Sequence, residues 1–525
     1  MARDPPARAD LSGEPTSPWL ATTRSPGYDP LESDVRVEVA VVGGGIAGLS
    51  TAHELRDRGH AVAVIERDEL AAGITGKTTA KLTSHHGLKY DRLRREFGPD
   101  TARTYAAVNE RAIDTVEERV TDWDGDFGFR RLPNYVYGDG RDAIEREVAA
   151  ASEAGLDASF VTSVPPFDRA ACGVRVDDQA CFHPRRYLLE LADRLAGRSG
   201  TELFEHTRVT GIEPGSPCRI ETTVSPESRA DGDGPGEPHT VLADRVVVAT
   251  GAPILDRAGY FARLHPKRSY VLGIRLDGRY PEGMYYDAGE PYRSVRPHRD
   301  GEGDLLLVGG ENHKTGQGGS TAERYRRLAA WAREHFPVES IDYRWSTQDY
   351  VPADGLPFIG RLGVGASEIS VITGFGGWGM TTGVAAGELL AREIDGEEVR
   401  ELKPFDPLRA TPKASLPTVL TEGADSAGQF ATDWARALLA DDGEPIEPGE
   451  GRVVRRGSKP IAVSRSEDGD LRAVSAVCTH MDCLVDWNDG ENSWDCPCHG
   501  SRFSPDGRVL EGPASDDLPP RKPDG

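Results

Sequence analysis

The spacing of apolar and polar positions changes several times along the chain. Residues 37–42 are mostly apolar and β-branched, residues 47–58 repeat apolar side chains at helical spacing, and residues 61–66 form a second short apolar run. This order predicts a strand, a helix and a strand. Residues 91–165 carry long helical patterns such as DTARTYAAVNERAIDTVEERV, with a strand expected at NYVYG, and the two signals stay interleaved to about residue 398. Such interleaving predicts an α/β body. From 401 to 442 proline and acid dominate, with one helical patch, GQFATDWARALLA, so a linker is expected there. Beyond it, alternating strands flank the Asp-Gly turn of KPIAVSRSEDGDLRAVSAV, and FSPDGRVL supplies another hairpin. Residues 443–525 therefore read as a small all-β module, a size that needs a metal or a staple to be stable. Residues 1–34, rich in proline and polar side chains, read as a tail.

Composition narrows the partners. The formal net charge is −24, and 9 of the 62 basic residues are lysine, which argues against nucleic acid. Asp and Glu are spread along the chain and form no single acidic tail, as suits a solvated surface in high salt. No stretch approaches the ~20 apolar residues of a spanning helix. The opening, MARDPPARADLSGEPTSPW, has no apolar signal core, so a cytoplasmic protein without a transmembrane segment is expected.

The densest chemistry lies in residues 477–501, VCTHMDCLVDWNDGENSWDCPCHGS, with four of the seven cysteines and two of the thirteen histidines. Cys478-x-His480 and Cys496-x-x-His499 can supply two thiolates to one iron and two imidazoles to another. This pattern resembles the Rieske 2Fe-2S proteins over residues 443–515, through the boxes CTHMDC and CPCHGS followed by FSPDG and GPA. The resemblance, to the cytochrome bc branch in particular, implies Cys478, His480, Cys496 and His499 as cluster ligands and a disulfide between Cys483 and Cys498. A structural zinc site is the competing reading. It leaves the two inner cysteines and the Gly-Ser after His499 without a role. Imidazole in place of two thiolates removes negative charge from the cluster, raising its potential to about −150 to +300 mV against about −400 mV for plant-type centres.

Near the other end, Gly43-x-Gly45-x-x-Gly48 follows the first expected strand and opens the helix, and Glu66 ends the second strand. Glycines so placed let a pyrophosphate approach the helix N-terminus, and the carboxylate can accept from a ribose hydroxyl. NAD, NADP and FAD all use this device. VVVATG, closing on Gly251, together with TQDYVPADGLPFIGRL and VITGFGGWGMTTGVAAGELLA, resembles the D-amino-acid oxidase-like flavoproteins, which include glycine, sarcosine and gamma-glutamylputrescine oxidases. With TGKTTAKLTSHHGLKY and the Rieske-like tail, the chain resembles flavin–Rieske fusion oxidoreductases.

That resemblance implies FAD-binding parts at about 35–90, 165–252 and 345–400, and a substrate domain at about 91–164 and 253–344. It places Thr78 and Thr79 beside the flavin ring, Gly376, Gly377 and Gly379 near it, and the helix from Thr381 with its positive end toward the pyrimidine. Tyr270 and Arg296 fall where relatives carry substrate-facing groups. His85 and His86 read as ordinary polar packing, and Cys172, Cys181 and Cys218 as small buried residues. The expected function is oxidation of an amine or amino acid by FAD, with electrons passing through the Rieske centre to an acceptor that the sequence does not name. The alternative is an electron-transfer or redox-sensing protein without an amine substrate.

Overall fold

The computed structural model describes residues 11–522 apart from 168–170, 225–236, 256–258, 300–302, 364, 440–444 and 458. The βαβ opening forms: strand Val35–Val42, helix Ile46–Asp57 and strand Val62–Ile65, with the two strands parallel. Val39, Val41, Leu49, Val62 and Val64 are buried together between sheet and helix, the outcome that two apolar strands and a helix stripe dictate. Strands Thr201–Phe204, His239–Gly251 and Ile369–Thr373 extend this sheet in parallel. The helix Gly379–Ile394 packs so closely on Ile46–Asp57 that a Cβ on Gly387 would lie 2.8 Å from the Ser50 carbonyl carbon.

A second, mostly antiparallel sheet runs Val338–Pro352, Leu264–Leu276, Leu305–Lys314, Arg293–His298, Met284–Asp287, Arg130–Gly138, Cys172–Cys181 and Lys81–Leu82. The expected FAD-binding stretch 165–252 therefore divides, because Cys172–Cys181 pairs with Arg130–Gly138 in this second sheet. Strand Val338–Pro352 likewise runs across the expected division at 344. Cys172, Cys181 and Cys218 are buried, as small apolar residues would be.

Two expectations give way to packing. Residues 412–439 form one 28-residue helix in place of a linker with a short helical patch, and the helix continues through the internal Pro417. The described part of the expected tail is built into the core: Ser17 caps the short helix Pro18–Ala21, and Trp19 is fully buried with Nε1 donating to the Thr78 carbonyl at 2.7 Å. Ser25 and Tyr28 bonding to Glu205, and Leu31 to Thr207, tie the rest of the segment down. The C-terminal module has a three-stranded sheet, Gly451–Arg456, Lys459–Arg465 and Leu471–Ser475, and a four-stranded one ending in Arg502–Phe503 and Val509–Glu511.

Candidate functional site

A cavity of about 390 Å³ runs along the C-terminal ends of the parallel strands. At one end lie Gly43, Gly45 and Glu66. Gly43 has φ +108°, and a Cβ there would stand 2.6 Å from the Ala249 carbonyl oxygen. Gly48 does not line the cavity; a Cβ on it would come within 1.9 Å of the Gly43 carbonyl oxygen, so its role is to let helix and strand meet. The Gly45 N-cap offers no side-chain cap, and the first turn of its helix faces the cavity, the arrangement that suits a pyrophosphate. One Glu66 oxygen accepts from the Gly44 amide at 2.7 Å, and burial pushes this carboxyl up. These residues fit the dinucleotide half of FAD.

At the other end the wall carries Thr78, Thr79, Gly376, Gly377 and Gly379, while Gly251 lines the cavity two residues past Ala249, whose carbonyl meets Gly43. The helix Gly379–Ile394 opens here without a side-chain cap, so its positive end meets the cavity. Thr381 lies one step behind, its hydroxyl donating to the Thr83 carbonyl at 3.0 Å. His85 and His86 are buried outside the wall; His86 hydrogen-bonds Tyr105 at 2.6 Å and stacks on Trp378.

The two substrate-facing candidates are corrected. Strand Leu264–Leu276 turns Lys267, Ser269 and Val271 into the cavity, so the pleat sends Tyr270 to the opposite face, where its hydroxyl meets His313 at 3.0 Å. Arg296 shares a face with Tyr292 and Ser294 but sits behind the backbone of Thr79. Its guanidinium is spent on the carbonyls of Thr79, Pro297 and Phe182 and lies over the Trp19 ring.

The side chains that do face the cavity here are Tyr286, Tyr292, Trp378, Lys267 and Asp349. Tyr286 stacks on Tyr292 with centroids 5.1 Å apart and tilts toward Trp378 at 5.4 Å. Burial pushes the Asp349 carboxyl up to about 6, against the Gly377 amide and the Lys267 charge, which pull it down. Period-2 alternation in KRSYV and YRSVR could have found Lys267 and Tyr292, had the phase of each strand been known.

In the C-terminal module the four expected ligands converge from two loops. The Cys478 and Cys496 thiols hydrogen-bond each other, which brings Cys478 down to about 7. The His480 and His499 rings stand edge to face with centroids 5.0 Å apart, and the buried Nδ1 of His499 has no hydrogen-bond partner. Amides of His480 and Met481 point at the Cys478 sulfur, those of Cys498 and His499 at the Cys496 sulfur, and the Ser501 hydroxyl reaches Cys478. Cys483 and Cys498 form a disulfide with S–S 2.01 Å. Their sulfurs lie within 4.8 Å of Cys496 but are spent in that bond. Two thiols and two imidazoles with amides aimed at sulfur fit a 2Fe-2S cluster.

The two sites share a seam. Gln348 lines the flavin cavity and donates to the Gly500 carbonyl at 2.8 Å, one residue past His499. Arg268 of the body and Arg502 of the module both pair with Glu491 and Glu511. Burial pushes the Glu511 carboxyl up, yet Arg502, Arg268 and Lys77 outweigh it and hold it down to about 2. A second cavity, about 450 Å³, lies beside His499 between Phe261, Val419, Phe430 and Met481.

Fold and sites together define a flavin-dependent oxidoreductase that carries its own iron–sulfur module. The chain belongs to the FAD dependent oxidoreductase (DAO) family, matched over residues 38–393, and residues 436–521 match the Rieske [2Fe-2S] domain. Over 504 residues it is 35% identical to YhfW of Bacillus subtilis (strain 168), a protein named for a Rieske 2Fe-2S centre, covering 95% of this chain and 96% of that one. Gamma-glutamylputrescine oxidoreductase of Escherichia coli (strain K12) is 24% identical over 413 residues, covering 74% of this chain and 90% of that one. The crystal structure of glycine oxidase from Bacillus cereus ATCC 14579 shares the fold, with TM-score 0.54 at 18% identity, covering 71% of this chain and 99% of that one. The cofactors are thus FAD and a Rieske-type 2Fe-2S cluster. Among the described residues, no helix is long and apolar enough to cross a membrane.

Proposed function

We propose that the protein oxidises an amine or amino acid at the ring end of the cavity and delivers the electrons through its Rieske centre to an external acceptor. The observation that carries this reading is the wall of Tyr286, Tyr292 and Trp378 around the raised carboxyl of Asp349. An aromatic wall attracts an ammonium group. Once ionised, the Asp349 carboxylate accepts a proton from that ammonium, leaving the neutral amine, the form from which bound FAD would take the α-hydrogen as hydride. Lys267 holds a substrate carboxylate where there is one. Among the described lining residues the arginines are Arg67 and Arg208, beside Glu66 at the dinucleotide end, so no guanidinium clamp for a carboxylate exists at the ring end.

Gly43, Gly45 and Glu66 would hold the dinucleotide, and Thr78, Thr79 and Gly376 to Gly379 would frame the ring. Cys478, Cys496, His480 and His499 would hold the cluster. Bound FAD supplies a two-electron acceptor and the cluster a one-electron carrier. Gln348 then fixes the spacing between the two sites, and the cavity beside His499 gives the acceptor an approach.

Anaerobic titration with a panel of amines and amino acids, followed in the flavin band, tests this. Bleaching by one member, with the cluster reduced at a rate independent of protein concentration, supports it. No bleaching by any of them, with cluster reduction by external partners only, favours the electron-transfer reading.

A further inference from the structure

The Rieske module does more than dock beside the flavin cavity. Its last strand, Val509–Glu511, and the loop after it supply Val509, Leu510, Glu511, Gly512, Ala514 and Ser515 to the cavity wall. This strap is stitched to the body along its length. Arg67, adjacent to Glu66, donates to the Leu510 carbonyl at 2.7 Å, and Tyr350 donates to the Gly512 carbonyl at 2.6 Å. Arg208 reaches the Ser515 carbonyl at 3.4 Å and Asp517 at 3.1 Å, while Asp517 also accepts from the Val509 amide at 2.9 Å and so closes the strap on itself. Arg268 and Arg502 grip Glu511 from the two sides of the seam.

We infer that the Rieske module is a structural part of the FAD site: the strap 509–517 forms one side of the dinucleotide cavity, so that FAD binding and docking of the iron–sulfur module are thermodynamically linked. The flavin body has the ordinary glycine turn and acidic residue of its fold, yet its cavity is closed by chain that lies about 450 residues further on, between Glu66 and Glu511. Linkage is reciprocal: if the strap strengthens FAD binding, FAD must strengthen the strap's docking by the same factor. The same geometry fixes the cluster loops relative to the cavity, since Tyr350 also accepts from Gln348, whose amide group holds Gly500. The strap and FAD are coupled whichever substrate is oxidised.

The test uses the full chain with its cluster loaded, with and without FAD. Hydrogen exchange of the amides of residues 509–517 is expected to slow on adding FAD. In parallel, Asp517→Ala, whose side chain does not line the cavity, is expected to raise the FAD dissociation constant at least about fivefold, the low end of typical couplings, while the cluster's EPR signal is retained. Equal exchange of the strap with and without FAD overturns the inference. So does an Asp517→Ala protein that holds FAD as tightly as the parent with its strap amides exchanging faster. If that variant does not fold, the exchange comparison on the parent chain decides alone.

Discussion

The cluster site and the flavin cavity are assembled over very different lengths of chain. Cys478, His480, Cys496 and His499 lie within 22 residues, on two loops tied by one disulfide. The cavity instead gathers Gly43, Lys267, Tyr292, Gly377 and Glu511 from both sheets and from the module. A site of the first kind depends on loop geometry and tolerates changes elsewhere. A site of the second kind depends on how whole layers pack, so a substitution at the seam reaches it even when it touches no cofactor.

The sharpest way to break the comparison is Cys496→Ser, expected to abolish the cluster, read as loss of iron and acid-labile sulfide, with the flavin band kept. Flavin lost along with the iron would show that the local site is not separable.

Next in size is Arg268→Met, which leaves the half-buried Glu491 and Glu511 with Arg502 as their remaining guanidinium partner. Stripping a partner from buried charges costs about 3–5 kcal/mol. Denaturant unfolding should show flavin and cluster signals weakened together; a shift of the cluster signal alone would count against a shared seam. The same network sets an acid limit. Because the Glu511 carboxyl is depressed when folded, its contribution is fully present above its ordinary value near 4.5 and is lost as pH falls toward about 2. Acid titration should therefore loosen the seam within that window, and loosening above it would point to other groups.

Cys483→Ser opens a bond that closes a sequence separation of 15 residues, which corresponds to about 3 kcal/mol. The expected outcome is a cluster that bleaches faster in a protein that still holds its flavin. Two free thiols in the intact holoprotein by mass spectrometry would refute the disulfide.

The smallest effect is Asp349→Asn, expected to lower kcat/KM for the amine about a hundredfold, the low end for loss of a general base. The active form is the carboxylate, so the parent's rate should fall as pH drops through about 6, and the variant should lose that limb. An unchanged acid limb in the variant would move the role to another group.

Much of this was legible along the chain. The glycine turn, the helix after it and the ligand spacing at 478–499 are short-range patterns, and the βαβ opening and the β hairpins formed where alternation placed them. The orientations of Tyr270 and Arg296 were not legible in the sequence. Alternation gives a period without a phase, and Tyr270 faces away while Arg296 lies one step past the cavity. Trp19 and the 28-residue helix were hidden in proline-rich, polar stretches, because a single buried ring or a long tertiary contact outweighs local composition.

By itself, the sequence determined everything set by neighbours in the chain: the tight turn that only glycine permits at Gly43, the close helix–strand approach at Gly48, and two loops each bearing one cysteine and one histidine at ligand spacing. The tertiary structure alone decided which strand faces line the cavity, that Gln348 bridges it to Gly500, and that Glu511 closes it from the far end of the chain. The physical reason is that turns and ligand loops are fixed by steric rules acting over a few residues. Cavity walls depend on sheet phase and on charge pairs such as buried Arg268 with half-buried Glu511, whose pairing is settled only when distant layers meet.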